Sequence, residues 1–114
     1  MQCGLEFEDK YELITMILEV ATLNVIPEKT DEFEAGFESA QEIISSMKGY
    51  IGHQLHKCLE IPNRYILLVK WEKLEDHTIG FRESPDYQQW KKLLHHYYSP
   101  FPVVEHYTLK YGIF

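Results

Sequence analysis

The order of apolar patterns along the chain predicts an α+β fold: a ferredoxin-like βαββαβ unit, an antiparallel sheet with both helices on one face. Three observations carry this. Runs of strand character recur four times, at 15–25, 50–59, 65–71 and 103–111. A long stripe at helical spacing separates the first run from the second. Shorter helical segments separate the third from the fourth. Strand–helix–strand–strand–helix–strand is the split βαβ plan.

Each element has its own justification. Thr15 to Val25 is rich in Ile, Leu and Val and closes at Ile26-Pro27, where the ring has no N–H to donate. The first helix spans Thr30 to Met47. Thr30 or Asp31 can cap it, and Asp31, Glu32 and Glu34 suit the positive end of the helix dipole. Phe33, Phe37, Ala40, Ile44 and Met47 form one apolar stripe. Lys48-Gly49 ends it, with glycine available for the left-handed position after the helix. Tyr50 to Leu59 alternates with period two, and beyond the turn at Ile61-Pro62-Asn63-Arg64 the run Tyr65 to Trp71 completes a hairpin. Leu74 to Arg82 reads as a short helix. Ser84-Pro85-Asp86 opens the next one, with Ser at the cap and Pro at the first helical position. Tyr87, Trp90, Leu94 and Tyr97 give that helix its apolar face. Ser99-Pro100-Phe101-Pro102 breaks it, and Val103 to Tyr111 is the last strand.

Residues 1–15 form an N-terminal extension of separate character, and 16–114 form the domain. In the extension Leu5, Phe7, Asp9, Tyr11 and Leu13 alternate with Glu6, Glu8, Lys10 and Glu12, a pattern that fits a half-buried strand at a sheet edge and equally a charged, mobile extension. At 114 residues one domain is the natural count. The balance of 11 Lys+Arg against 18 Asp+Glu gives a net charge of −7, which argues against nucleic acid as a partner. No apolar run reaches the length of a membrane span, so no membrane partner is expected. The N-terminus lacks a secretory pattern. Cys3 and Cys58 share no motif spacing, and the expected setting is a reduced cytoplasm. Large side chains on both strand faces, including Tyr50, Tyr65, Tyr107 and Tyr111, predict a homodimer in which two sheets pack face to face.

Several segments together resemble the antibiotic biosynthesis monooxygenase (ABM) domain family. They are Met16-Ile-Leu-Glu-Val-Ala-Thr-Leu23, the helix from Thr30, Met47-Lys-Gly-Tyr-Ile-Gly-His53, Trp71-Glu-Lys-Leu-Glu-Asp-His77 and Ser84-Pro-Asp-Tyr87. The resemblance covers residues 16–111 and implies a dimeric α/β barrel of two ferredoxin-like subunits. Two enzymatic branches can be laid on it. Haem-degrading members use an Asn, a Trp and a His where this chain has Ala21, Gly80 and Lys91, none of which could serve; a ligand shifted to His95 or His96, about a turn further along, keeps haem degradation as the lesser reading. Cofactor-free, quinone-forming members place a Trp where Trp71 stands and a Tyr where His77 stands. Their Asn four residues before the Trp is Leu67 here.

The second branch implies a monooxygenase that oxidises an electron-rich phenol, quinol or anthrone with no cofactor and no metal. Such a site needs an apolar, aromatic-lined cavity and a base that works near neutral pH, the natural task of a histidine. His77 is the expected base. Trp71, Phe81 and Trp90 are expected to line the cavity, and Tyr65 or Tyr107 to orient a substrate oxygen. Plainer readings compete: His77 as a helix cap, Trp71 as a core anchor, and Trp90 with Tyr87 and Leu94 as a buried stripe. The rival function is a non-enzymatic dimeric barrel that binds a small hydrophobic molecule or serves a structural role. Adjacent His95 and His96 point about 100° apart on a helix, and His53 and His56 fall on opposite strand faces, so neither pair makes a metal site.

Overall fold

A computed structural model describes residues 16–112. The extension at 1–15, with Cys3 and its alternating pattern, lies outside the described residues. Four strands, β1 (Ile17–Asn24), β2 (Tyr50–Lys57), β3 (Arg64–Trp71) and β4 (Val104–Thr108), form one antiparallel sheet in the order β2-β3-β1-β4. Helices α1 (Thr30–Ser45) and α2 (Pro85–Leu94) pack on one face. This is the ferredoxin-like α+β architecture expected from the pattern. Among the described residues no helix is long and apolar enough to cross a membrane.

The register decides which side chains meet. Ile17 pairs with Trp71 and Thr108, and Glu19 with Val69 and His106. Residues 19, 21 and 23 of β1 and 65, 67, 69 and 71 of β3 therefore face the helices, and all seven are buried. They meet Phe33, Phe37, Ala40 and Ile44 of α1 and Trp90 and Leu94 of α2. The opposite sheet face carries Leu18, Val20, Ile66, Leu68 and Tyr107, half-buried or exposed.

Local details depart from expectation. Neither Thr30 nor Asp31 caps α1: a 3₁₀ turn at Pro27–Lys29 feeds straight into the helix, and no side chain makes the cap bond. Asp31 and Glu32 still occupy its first turn. The helix stops at Ser45, and Gly49 takes its left-handed conformation (φ +84°) in the following turn. A Cβ there would fall 2.0 Å from Asp76 Oδ2, so the turn packs directly against the next segment. That segment is not the regular helix expected at Leu74–Arg82 but a π-helical turn, Asp76–Phe81, in which Arg82 N–H donates to the carbonyl of His77. The cap at α2 is as expected, with Ser84 Oγ accepting from Tyr87 N–H at 3.2 Å. Strands β2 and β4 are shorter than their patterns, leaving Cys58 just past β2 and Tyr111 exposed.

Candidate functional site

Under the helical layer lies a cavity of about 270 Å³, floored by Glu19, Ala21, Leu23 and Leu67 of the sheet. Phe81 of the π turn, Trp90 and Leu94 of α2, and the segment His95 to Val104 make its walls. Phe81 and Trp90 meet edge to face with ring centroids 5.7 Å apart. Most of this lining is apolar. The cavity's polar lining includes Glu19 and His77, both nearly fully buried.

Those two residues belong to a connected cluster. Trp71 Nε1–H donates to Glu19 Oε1 at 2.9 Å, and His77 Nε2 lies 3.4 Å from the same oxygen. His77 Nδ1 is 2.8 Å from His106 Nε2. The His77 ring stacks on Trp71, with an interplanar angle of 21°. Burial raises Glu19 to a pKa of about 7, against the opposing pull of the Trp71 hydrogen bond and the Arg82 charge. Burial, with Arg82 and His106 adding to it, pushes His77 down to about 3. His77 is therefore neutral at physiological pH, and its contact with Glu19 is not an ion pair.

The protonation pattern follows from chemistry. With Glu19 ionised the carboxylate can only accept, which favours the neutral His77 tautomer with its proton on Nε2, 3.4 Å from Oε1, and an accepting Nδ1. His106 then supplies the Nε2–H. Both ring nitrogens of His77 are used within the protein.

The residues singled out from sequence separate into two groups. His77, Phe81 and Trp90 line the cavity. Trp71 stands behind it, fully buried, and reaches it through Glu19 and His77. Tyr65 and Tyr107 do not meet there. Tyr65 faces the helices near the far end of β3, donates its hydroxyl to Glu34 and packs on Phe33 at 4.9 Å. Tyr107 is on the opposite sheet face, half exposed, with its hydroxyl donated to Glu105. One tyrosine is too far along its strand and the other has the wrong phase. Glu19, His106 and Arg82 were not anticipated. A single acid in an apolar strand, in phase with Ala21 and Leu23, was the available signal for Glu19.

Comparison with known proteins adds a family to this geometry. Residues 16–93 match the family described as antibiotic biosynthesis monooxygenase. YczJ of Bacillus subtilis strain 168, an uncharacterised protein, is 55% identical over 92 residues, spanning 81% of this chain and 97% of its own length. A candidate antibiotic biosynthesis monooxygenase from Bordetella bronchiseptica is 36% identical, with a TM-score of 0.82 over 85% of this chain and 99% of that one. Two Streptomyces proteins at 16% identity and TM-score 0.73 share the fold. One is SnoaB of S. nogalater, a cofactor-independent oxygenase, matched over 86% of this chain and 96% of that one. The other is the ActVA-Orf6 monooxygenase of S. coelicolor, solved with nanaomycin D, matched over 88% and 92%.

Proposed function

The chain belongs to the antibiotic biosynthesis monooxygenase family, and from that premise we propose that it oxygenates a phenolic aromatic of roughly two fused rings without flavin or metal. One observation carries the reading: a largely apolar, aromatic-walled cavity of about 270 Å³ whose lining includes a buried Glu19–His77 pair. Phe81 and Trp90 supply stacking surface for a flat ring, and Ala21 and Leu67 leave it room.

The chemistry asks little else of the protein. A ring O–H gives its proton to a base of the Glu19–His77 pair, and its electron pair stays on oxygen. The electron-rich phenolate then reduces dioxygen. One oxygen atom bonds to the ring carbon opposite the hydroxyl, and the other leaves as water with the hydrogen displaced from that carbon and the phenolic proton. Phenol plus dioxygen thus gives quinone plus water, with all four electrons that reduce dioxygen supplied by the substrate. SnoaB, a cofactor-independent oxygenase, supports this economy, and ActVA-Orf6, solved with nanaomycin D, supports a small-molecule substrate.

The working unit is a homodimer closed through the sheet face that bears Leu18, Val20, Ile66, Leu68 and Tyr107. An apolar face of this kind is commonly covered by a second sheet. A cytoplasmic setting is in keeping with the free thiol of Cys58.

Oxygen uptake with 1,5-dihydroxynaphthalene and anthrone, whose carbons opposite the oxygen are free, tests the reading, each rate corrected for spontaneous oxidation. Catalysed uptake with quinone formation is expected. Saturable binding of both compounds without any uptake would mark a ligand-binding barrel instead and overturn the oxygenase reading.

A further inference from the structure

The base expected from sequence is His77, yet the geometry gives that imidazole no free atom. Its Nδ1 is engaged by His106 at 2.8 Å and its Nε2 faces Glu19 at 3.4 Å. Only 3% of the residue is exposed. Glu19 is differently placed. Its Oε1 takes both contacts, from Trp71 and His77. Its Oε2 has no protein partner among the described residues. No fully enclosed polar side-chain atom there lacks a partner, so Oε2 keeps accessible surface, and it belongs to a residue that lines the cavity.

We infer that Glu19 is the proton acceptor of the cavity, the catalytic residue that meets a phenolic or enolic O–H, and that His77 is a positioning residue held between Glu19 and His106. The inference deepens the oxygenase reading and rests on it for the reaction, though not for the proton contact itself. In the step, the substrate O–H bond breaks, the proton bonds to Glu19 Oε2, and the electron pair stays on the substrate oxygen. The Trp71 N–H holds Oε1 by its hydrogen bond throughout, with the His77 ring 3.4 Å from the same oxygen.

Glu19 is suited to this task by its surroundings. Burial raises its pKa to near neutrality, where a base is most effective at balancing availability with strength. The groups that face it are His77 from the π turn, His106 from β4, Tyr87 from α2 and the exposed Arg82 beside the cavity. Arg82 is the single cation among them and favours the carboxylate.

The test uses the whole chain and 1-naphthol as probe. Calorimetric binding is measured across the titration of the Glu19 carboxyl, itself followed by ¹³C NMR, in wild type, Glu19→Gln and His106→Asn. Glu19→Gln keeps the shape and an acceptor for Trp71, so the fold is retained. In wild type, affinity is expected to change with pH about the Glu19 midpoint, and in Glu19→Gln to be flat. In His106→Asn the midpoint moves to higher pH, because His77 no longer holds its N–H on the carboxylate, and maximal binding is kept. Naphthol binding that is indifferent to pH in wild type, or equally pH-dependent in Glu19→Gln, overturns the inference. An unmoved midpoint in His106→Asn overturns the role of His77. Turnover is read separately: Glu19→Gln is expected to lower kcat for 1,5-dihydroxynaphthalene by about 100-fold or more. Undiminished turnover in Glu19→Gln overturns the inference while the oxygenase reading stands. Absent turnover in wild type removes that reading, and the binding experiment still decides the role of Glu19.

Discussion

Trp71 and His77 lie with ring centroids 5.5 Å apart and planes inclined by 21°, and both turn a ring nitrogen to the same carboxylate oxygen of Glu19. The stack fixes the imidazole by contact with an indole that is itself fully buried. Two residues at the end of β3 and in the π turn thereby orient an acid on β1. Precision of this kind comes from rigid elements rather than from loops.

The linked protonation of this pair predicts an unusual pH dependence of stability. Glu19 has a folded pKa of about 7 against 4.5 for the free group, so the folded state binds more protons between those values. Its contribution to stability is full below 4.5 and is lost as pH rises through 7. His77, lowered from 6.5 to about 3, acts in the opposite sense, and its contribution is present above 6.5 and lost as pH falls through 3. Urea unfolding from pH 4 to pH 8 should therefore show Glu19→Gln gaining on wild type as pH rises. The expected gain is about 3 kcal/mol, at about 1.4 kcal/mol per pKa unit. A difference independent of pH would mean that Glu19 titrates normally.

Replacing Trp71 with Phe removes the N–H on Glu19 Oε1 and leaves most of the ring. Because that bond lowers the Glu19 pKa, the carboxyl midpoint is expected to rise. Stability should fall by about 1–3 kcal/mol, the usual consequence of leaving a buried acceptor short of a donor. Carboxyl NMR and chemical unfolding check the two effects separately.

Gly49→Ala carries two costs at once: a left-handed backbone and a Cβ 2.0 Å from Asp76 Oδ2. Asp76 also accepts from Lys73 N–H, so its displacement disturbs the start of the π turn that bears His77. A loss of about 2 kcal/mol or more is expected in urea unfolding. Aromatic ligand binding should weaken alongside it. A neutral result would show that the turn and the π segment are not mechanically joined.

Ala21→Leu tests the cavity. The added atoms project from the floor of the site, so 1-naphthol binding should fall at least 10-fold by calorimetry. The fold should survive with a cost of about 1–3 kcal/mol, typical of an overpacked core. Binding unchanged from wild type would place the ligand elsewhere.

Leu68→Lys tests the proposed homodimer from the sheet face opposite the helices. A charge at the centre of a sheet-on-sheet contact should shift the molecule to monomers in sedimentation at micromolar concentration. The helix-facing cavity is on the other side of β3, so a monomer that retains naphthol binding is the expected companion result.

Much of the architecture was legible because it depends on local periodicity. The Phe33 to Ile44 stripe, the alternation in β2 and the Ser84-Pro85 start each restrict the backbone through neighbours a few residues away. The six-residue step from Trp71 to His77 placed both at the same end of the fold. The missing helix caps at Thr30 and Asp31 were not legible, since a turn at Pro27–Lys29 supplied the entry instead. The π turn was hidden as well, because one extra residue per turn leaves little trace in a segment so short.

The amino-acid order by itself determined the strand and helix sequence, the sidedness of each element, and the resemblance that led to the family. Only the tertiary structure decided the site. Glu19 meets His106 because β1 and β4 pair in one register, and it meets Trp71 and His77 because β3 lies on its other side. Tyr65 and Tyr107 were separated from the cavity by the same register. Side-chain period is a local property of a strand, whereas the identity and depth of its neighbours are set by long-range pairing. The protonation of a buried acid depends on those neighbours, and so the chemistry of this protein does too.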